Sequence, residues 1–174
     1  INHALAPEVI DELHNPMDLP QKGTRELTAE DFVYSIKRMA NPRIIAPVYG
    51  TMVNYLPGLK DFAVQVRAED KRLRADLKPS DRDLPFLDLR KFELKGVSAP
   101  DKYTLRLEVK GKYPQFPNWL AMTFFAPVPW EAEAFYAQKG MAKNNLSLNY
   151  WPVGTGPYML VESIENRKHV MERN

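Results

Sequence analysis

Apolar positions along the chain repeat with two periods, near 3.6 and near 2, and the alternation between them marks a mixed α/β order. In 27–42, Phe32, Val33, Ile36 and Met39 fall at i, i+1, i+4 and i+7, which makes one apolar helical stripe. Thr28 is placed to cap that helix. Glu30 and Asp31 in its first turn and Lys37 and Arg38 near its end each oppose the macrodipole, and Asn41-Pro42 stops it. Residues 44–56 are apolar and aromatic, and Pro57-Gly58 breaks them off before a second helical stretch at 59–72.

Two strand-like runs follow, 92–97 and 103–109, joined by Ala99-Pro100-Asp101. In the second run Leu105, Leu107 and Val109 alternate with Arg106 and Glu108, so one face is buried and the other wet. Tyr113, Phe116, Trp119 and Leu120 lie on a short proline-punctuated helix and read as packing residues. Residues 124–128 read as a buried strand. Pro129 then opens a helix carrying Trp130, Ala134 and Phe135, closed by Gly140. Residues 144–151 suit a crossover between subdomains, and the runs at 158–164 and 168–171 pair across a turn at 165–167. Nearer the start, 7–13 forms a short helix, while Asn15-Pro16 and 20–23 read as turns.

The composition is that of a chain with a real core: 174 residues, 44% of them hydrophobic. With 24 basic and 22 acidic residues the net charge is +2, which gives no general attraction for nucleic acid. The most charged region, 67–91, interleaves Arg72, Arg74, Lys78 and Arg82 with Asp70, Asp76, Asp81 and Asp83, as a solvated insertion does. No apolar run approaches the roughly 20 residues that cross a bilayer, the longest being 121–130. The absence of cysteine excludes thiol chemistry and cysteine metal sites.

Catalytic groups are sparse. His3, His14 and His169 are the only histidines and show no metal-binding spacing, so no metal site is expected. Ser35 and Ser163 lack a Gly-x-Ser-x-Gly elbow. Glu30 with Asp31 and Glu131 with Glu133 are helix-start charges, since neighbouring and alternate helix positions do not converge on one substrate atom. No catalytic residue and no cofactor is assigned, so nothing in these groups points to an enzyme.

The most informative stretch is Pro152-Val153-Gly154-Thr155-Gly156-Pro157-Tyr158-Met159-Leu160. Gly154 and Gly156 bracket Thr155 in a tight turn where positive φ costs nothing, and Pro157 fixes φ as the chain enters a strand. A dinucleotide fingerprint would need glycine or alanine where Met159 stands, and a P-loop would need Gly-Lys-Ser/Thr.

This turn and strand, the segment from Leu27-Thr28-Ala29-Glu30-Asp31 to Asn41-Pro42, the run at 101–107 and Ala126-Pro127-Val128-Pro129 together resemble, in order and over roughly residues 25–174, the ABC-transporter extracellular solute-binding proteins of family 5, the oligopeptide, dipeptide and nickel type. The resemblance implies a mixed α/β periplasmic-binding-protein-like fold, part of one lobe of a two-lobed receptor. Residues 1–145 would then form the smaller subdomain of the first lobe, 146–174 the start of the next, and the second lobe would lie outside the chain. It implies a periplasmic receptor that binds peptide in a cleft between lobes and delivers it to a membrane permease and its ATPase. Nickel, haem and sugar ligands share the scaffold, and a non-transport α+β interaction module is the rival from another class. In the family the chain after the first helix reaches the cleft rim, so Val48, Tyr49, Thr51 and Tyr55 are candidate ligand contacts, unless these side chains are lobe core. Tyr49 is the first choice, since tyrosine offers a flat apolar face and one hydroxyl. Gly154, Thr155 and Gly156 are the others. An exposed apolar face near Tyr49, Trp119 or Trp130 is expected if the chain is half of a cleft.

Overall fold

The computed structural model describes residues 4–20, 23–78, 80–164 and 166–174. The turn at 20–23 and the turn at 165–167 therefore each lie partly outside the described residues. In chain order the elements are α1 (Pro7–Glu12), α2 (Ala29–Arg38), α3 (Tyr49–Tyr55), α4 (Leu59–Leu73), β1 (Val97–Asp101), β2 (Thr104–Leu107), α5 (Phe116–Leu120), α6 (Trp130–Tyr136), β3 (Tyr158–Ile164) and β4 (Lys168–Arg173), with four short 3₁₀ turns between them. The two sheets are antiparallel pairs, β1 with β2 and β3 with β4.

Packing gathers the chain into two compact units. One joins Ile1–Glu26, Asp76–Phe86 and Pro129–Asn174, and the other joins Leu27–Ala75 and Leu87–Val128. These boundaries interleave along the sequence.

In the second unit, α2 buries Val33, Tyr34 and Ile36, with Met39 beyond its end, and Phe32 stays half-buried. The expected Thr28 cap is completed by Asp31, whose carboxylate accepts the Thr28 backbone N–H at 2.9 Å. Ser35, also buried, donates to the Ala126 carbonyl at 2.7 Å, and the Val128 N–H reaches the Asp31 carbonyl at 3.4 Å. Those two bonds help hold 126–128 along α2 as an irregular segment. The buried strand expected at 124–128 is instead a 3₁₀ turn, Thr123–Phe125, with Phe124 exposed and Phe125 buried. Pro127 and Pro129, two prolines within three residues, remove ladder donors that a strand would need.

Gly58 starts α4 at φ 79°, and that helix buries Leu59, Phe62, Ala63 and Val66. The charged region opens as the last turns of α4, with Asp70 buried, so its first residues are not part of a solvated loop. Asp70 accepts from Arg43 Nε at 2.6 Å and Arg74 Nε at 3.1 Å. The hairpin β1–β2 also departs from expectation. Its first strand is 97–101, not 92–97, and the turn is at Lys102 and Tyr103. Pro100 is tolerated because the register shifts between Ser98 and Asp101, where no regular ladder bond is needed. Leu105 and Leu107 do alternate inward against exposed Thr104 and Arg106.

In the first unit the core is Ile10, Leu13, Phe135, Met141, Leu146 and Trp151, with Leu160 of β3 packed against it. The short α1 is held by its end: the Asn144 side-chain amide donates to the carbonyls of Ile10 at 2.6 Å and Leu13 at 2.9 Å. Arg25 makes a bidentate pair with Glu131 at 2.7 and 2.8 Å, which ties the stretch before α2 to α6. The Tyr136 hydroxyl donates to the Trp151 carbonyl at 3.0 Å, and burial pushes its ionisation well above the usual tyrosine range. Strands β3 and β4 pair as expected, with β4 running on to Arg173.

Candidate functional site

The first set of candidate contacts sits on and just before α3, a seven-residue helix of the second unit. Val48, Thr51 and Tyr55 fall at i, i+3 and i+7 and so share one side, while Tyr49 projects from another. On that side Val48 and Tyr55 take part in packing, and Thr51 is half-buried. Val48 is buried, and the Tyr55 ring stacks on Tyr113 with centroids 4.5 Å apart at 19°. The Tyr55 carbonyl accepts the Lys110 N–H at 2.8 Å, so α3 is anchored to the chain following β2. Tyr49 is half-exposed; its backbone N–H donates to the Ala46 carbonyl at 3.0 Å, while among the described residues no hydrogen bond or ring contact engages its side chain.

Tyr113 extends the aromatic group. The Trp119 indole N–H donates to its hydroxyl at 2.8 Å, and the Phe116 ring meets it edge-on at 6.2 Å. Sequence reasoning treats Tyr113 as a packing residue of its own short helix and does not join it to Tyr55. Nothing in the sequence pairs two tyrosines so far apart, and only the fold brings them face to face. Trp130 sits in the first unit, 6.5 Å from the Phe86 ring. The exposed large apolar side chains of the second unit are Ile45, Val64, Tyr103, Leu120, Met122 and Phe124.

The second set, Gly154, Thr155 and Gly156, belongs to the first unit, in the exposed loop between the buried Trp151 and β3. Among the described glycines, positive φ occurs at Gly58, Gly111 and Gly140, not at Gly154 or Gly156, so the left-handed turn expected here is not formed. A Cβ on Gly154 would meet nothing within 4 Å, and one on Gly156 would reach only the Tyr158 carbonyl at 3.8 Å. Local sterics therefore impose glycine at neither position. The loop is steadied from the other end of the hairpin: the Asn174 amide donates to the Gly156 carbonyl at 3.1 Å, and the Asn174 N–H to the Pro157 carbonyl at 2.9 Å. What the loop offers is exposed main chain and one hydroxyl.

Neither set is a catalytic constellation. Among the described residues no group of three or more histidine, aspartate or glutamate side chains is placed to hold a metal ion. Ser163 Oγ lies 3.0 Å from His169 Nδ1, an exposed cross-strand pair on β3 and β4.

Comparison with known proteins bears on what such surfaces serve. The family model described as "Bacterial extracellular solute-binding proteins, family 5 Middle" matches residues 22–174. The chain belongs to this family. Its relatives in the family include the periplasmic oligopeptide-binding protein OppA of Escherichia coli (strain K12), 27% identical over 150 residues, which are 85% of this chain and 22% of that protein. The periplasmic murein peptide-binding protein MppA of the same organism is 27% identical over 148 residues, 85% of this chain and 22% of that protein. The peptide transport periplasmic protein SapA of Haemophilus influenzae is 29% identical over 154 residues, 87% of this chain and 25% of that protein. The chain thus spans a quarter or less of the length of these curated family members. No solved structure matches it. The mixed helices and small antiparallel sheets are those of a family 5 solute-binding domain.

Proposed function

We propose that the chain forms part of the receptor of an ABC importer, which binds peptide in the periplasm and hands it to a membrane permease driven by an ATPase. The observation that carries this reading is the collinear family match over 22–174, joined to relatives whose names state peptide binding or peptide transport. Each unit by itself offers a surface suited to such a ligand: the second a half-exposed tyrosine on α3, the first an exposed glycine loop. In this role Tyr49 supplies an apolar face to varied side chains, and the main chain of 154–156 with the Thr155 hydroxyl supplies sequence-independent hydrogen bonds to a peptide backbone. Val48, Thr51 and Tyr55 hold α3 in place beneath Tyr49. Among the described residues no helix is long and apolar enough to cross a membrane.

The test is native mass spectrometry of the full-length protein, purified without added ligand and then denatured. Co-purifying peptides of mixed sequence support the reading. A single non-peptide mass, such as a haem or a metal chelate, replaces the ligand class, and an empty protein that ignores peptide, sugar and chelate pools moves the function to an interaction module. On that same protein, Tyr49→Ala is expected to weaken peptide binding about tenfold, as loss of an aromatic anchor does, with unfolding midpoints unchanged. Tyr55→Ala is expected to lower stability instead, by about 1–2 kcal/mol through loss of the stacked pair and its burial. Equal affinity loss in both variants would remove Tyr49 from the site.

A further inference from the structure

The exposed surface of α4 separates charge more sharply than a chain of 24 basic and 22 acidic residues requires. Outward from the helix lie Lys60, Arg67, Lys71 and Arg72, with Arg74 just past its end, all exposed. The exposed acid of the helix is Asp61, in the first turn, where it opposes the macrodipole far from the others. Lys60, Arg67, Lys71 and Arg74 recur at i, i+7, i+11 and i+14, which is one helical stripe. The carboxylates nearby are drawn inward: Glu69 is paired with Arg72 Nε at 2.7 Å, its side chain 17% exposed, and Asp70 is held by Arg43 and Arg74. Arg67 and Lys71 make no ion pair or hydrogen bond among the described residues.

Arg67, Lys71, Arg72 and Arg74, with Pro42, Ala68, Ala75 and the single carboxylate Asp70, line a wide, shallow concavity of about 780 Å³, so four cations face one acid. Its place in the fold narrows the occupant. It lies at the carboxyl end of α4, where the helix dipole is negative and no N-terminal amides point outward, so a single phosphate gains nothing from the backbone. No aromatic side chain lines it, so an incoming peptide finds no anchor pocket. What remains is an array of long, hydrated cations on an open surface, and that suits a plane of many like charges.

We propose that this basic face of α4 is an electrostatic docking surface for anionic lipid headgroups. The attraction is summed over several cations held within reach of one plane, acts over about one Debye length of 8 Å at physiological salt, and weakens as salt rises. It does not depend on which solute the receptor binds.

Co-sedimentation of the 174-residue chain with vesicles tests it, using phosphatidylcholine alone against phosphatidylcholine mixed with phosphatidylglycerol. Binding is expected only to the mixed vesicles, about tenfold or more above the neutral ones, and is expected to fade as sodium chloride is raised. Arg67→Glu with Lys71→Glu is expected to abolish it while circular dichroism and melting stay unchanged, because neither side chain is paired. Lys139→Glu with Arg173→Glu makes the same change in net charge elsewhere and is expected to retain binding. Equal loss in both double variants would overturn the proposal by reducing it to net charge. So would equal binding to both kinds of vesicle, or binding of a poly-glutamate peptide or inorganic polyphosphate at α4 by a chain that ignores mixed vesicles.

Discussion

Gly140 stands at φ 97°, and a Cβ built on it would lie 2.9 Å from Ile10 Cγ2, inside van der Waals contact. Both the backbone and the core of the first unit therefore require glycine there, whereas Gly154 has open space and an ordinary φ. Gly140→Ala is expected to lower stability by about 1–3 kcal/mol, and Gly154→Ala to change it by less than about 0.5, in denaturant titrations followed by tryptophan fluorescence. A large loss at Gly154 would mean that the loop has a steric role this packing lacks. A second residue-level expectation concerns pH. The Arg90 guanidinium, bonded to the Asp88 carboxylate at 2.8 and 2.9 Å, holds that carboxyl below its ordinary range, with the Arg90 N–H adding to the effect. Because the folded state favours the ionised form, this contribution is complete above the ordinary carboxylate value of 3.8 and is lost as pH falls through the lower folded value. Arg90 is partly solvated, which screens the pair and keeps the effect to about 1 kcal/mol or less. Asp88→Asn should therefore lower stability at pH 6 and by progressively less as the pH is taken down through the acid range. A deficit of the same size throughout would assign the role to shape and not charge.

At the level of elements, the β3–β4 hairpin shows what periodicity reveals and where it stops. Strict alternation over 158–164 would put Tyr158, Leu160 and Glu162 on one face, yet burial runs through Leu160, Val161, Glu162 and Ser163 together. The register shift between Leu160 and Glu162 inserts one residue and breaks the period of two. Leu160 packs on the first unit's core, while Met171 directly across the ladder is 62% exposed. Leu160→Ala is expected to cost about 1–3 kcal/mol, and Met171→Lys within about 0.5, measured by thermal unfolding; a larger effect at Met171 would place the core on the other side of the hairpin.

The helices were the legible part. The stripe of Phe32, Val33, Ile36 and Met39, the break at Pro57-Gly58 and the hairpin ends are all local signals, and α2, α4 and β3–β4 stand where those signals put them. The illegible part was nonlocal or a matter of small backbone shifts. Residues 124–128 look like a strand by hydrophobicity alone, but their hydrogen bonds go to α2 and not to a ladder. The strand expected at 92–97 moved to 97–101 because a register shift makes room for Pro100. For the candidate site, the tyrosines near α3 were visible in sequence as a cluster, but the separation of Tyr49 from the packed face of Val48, Thr51 and Tyr55 depends on where one short helix starts.

Over the whole molecule, two cores share one chain that passes between them at 26/27, 75/76, 86/87 and 128/129. Leu146, 1% exposed, belongs to the first unit's cluster, and Leu94, 2% exposed, is buried in the second. Every residue of that cluster belongs to the first unit. Leu146→Ala and Leu94→Ala are each expected to cost about 2–5 kcal/mol, as buried leucine truncations do. In the double variant the losses are expected to add to within about 0.5 kcal/mol, the behaviour of sites without common partners. The measurement is a double-mutant cycle by chemical denaturation, with fluorescence and circular dichroism read on the same samples. A coupling energy above about 1 kcal/mol would mean that a cavity in one core is felt in the other. Additive losses with coincident transitions would show two cores that unfold together although neither depends on the other's packing, which is the arrangement a binding protein needs if each unit is to present its own surface unaltered.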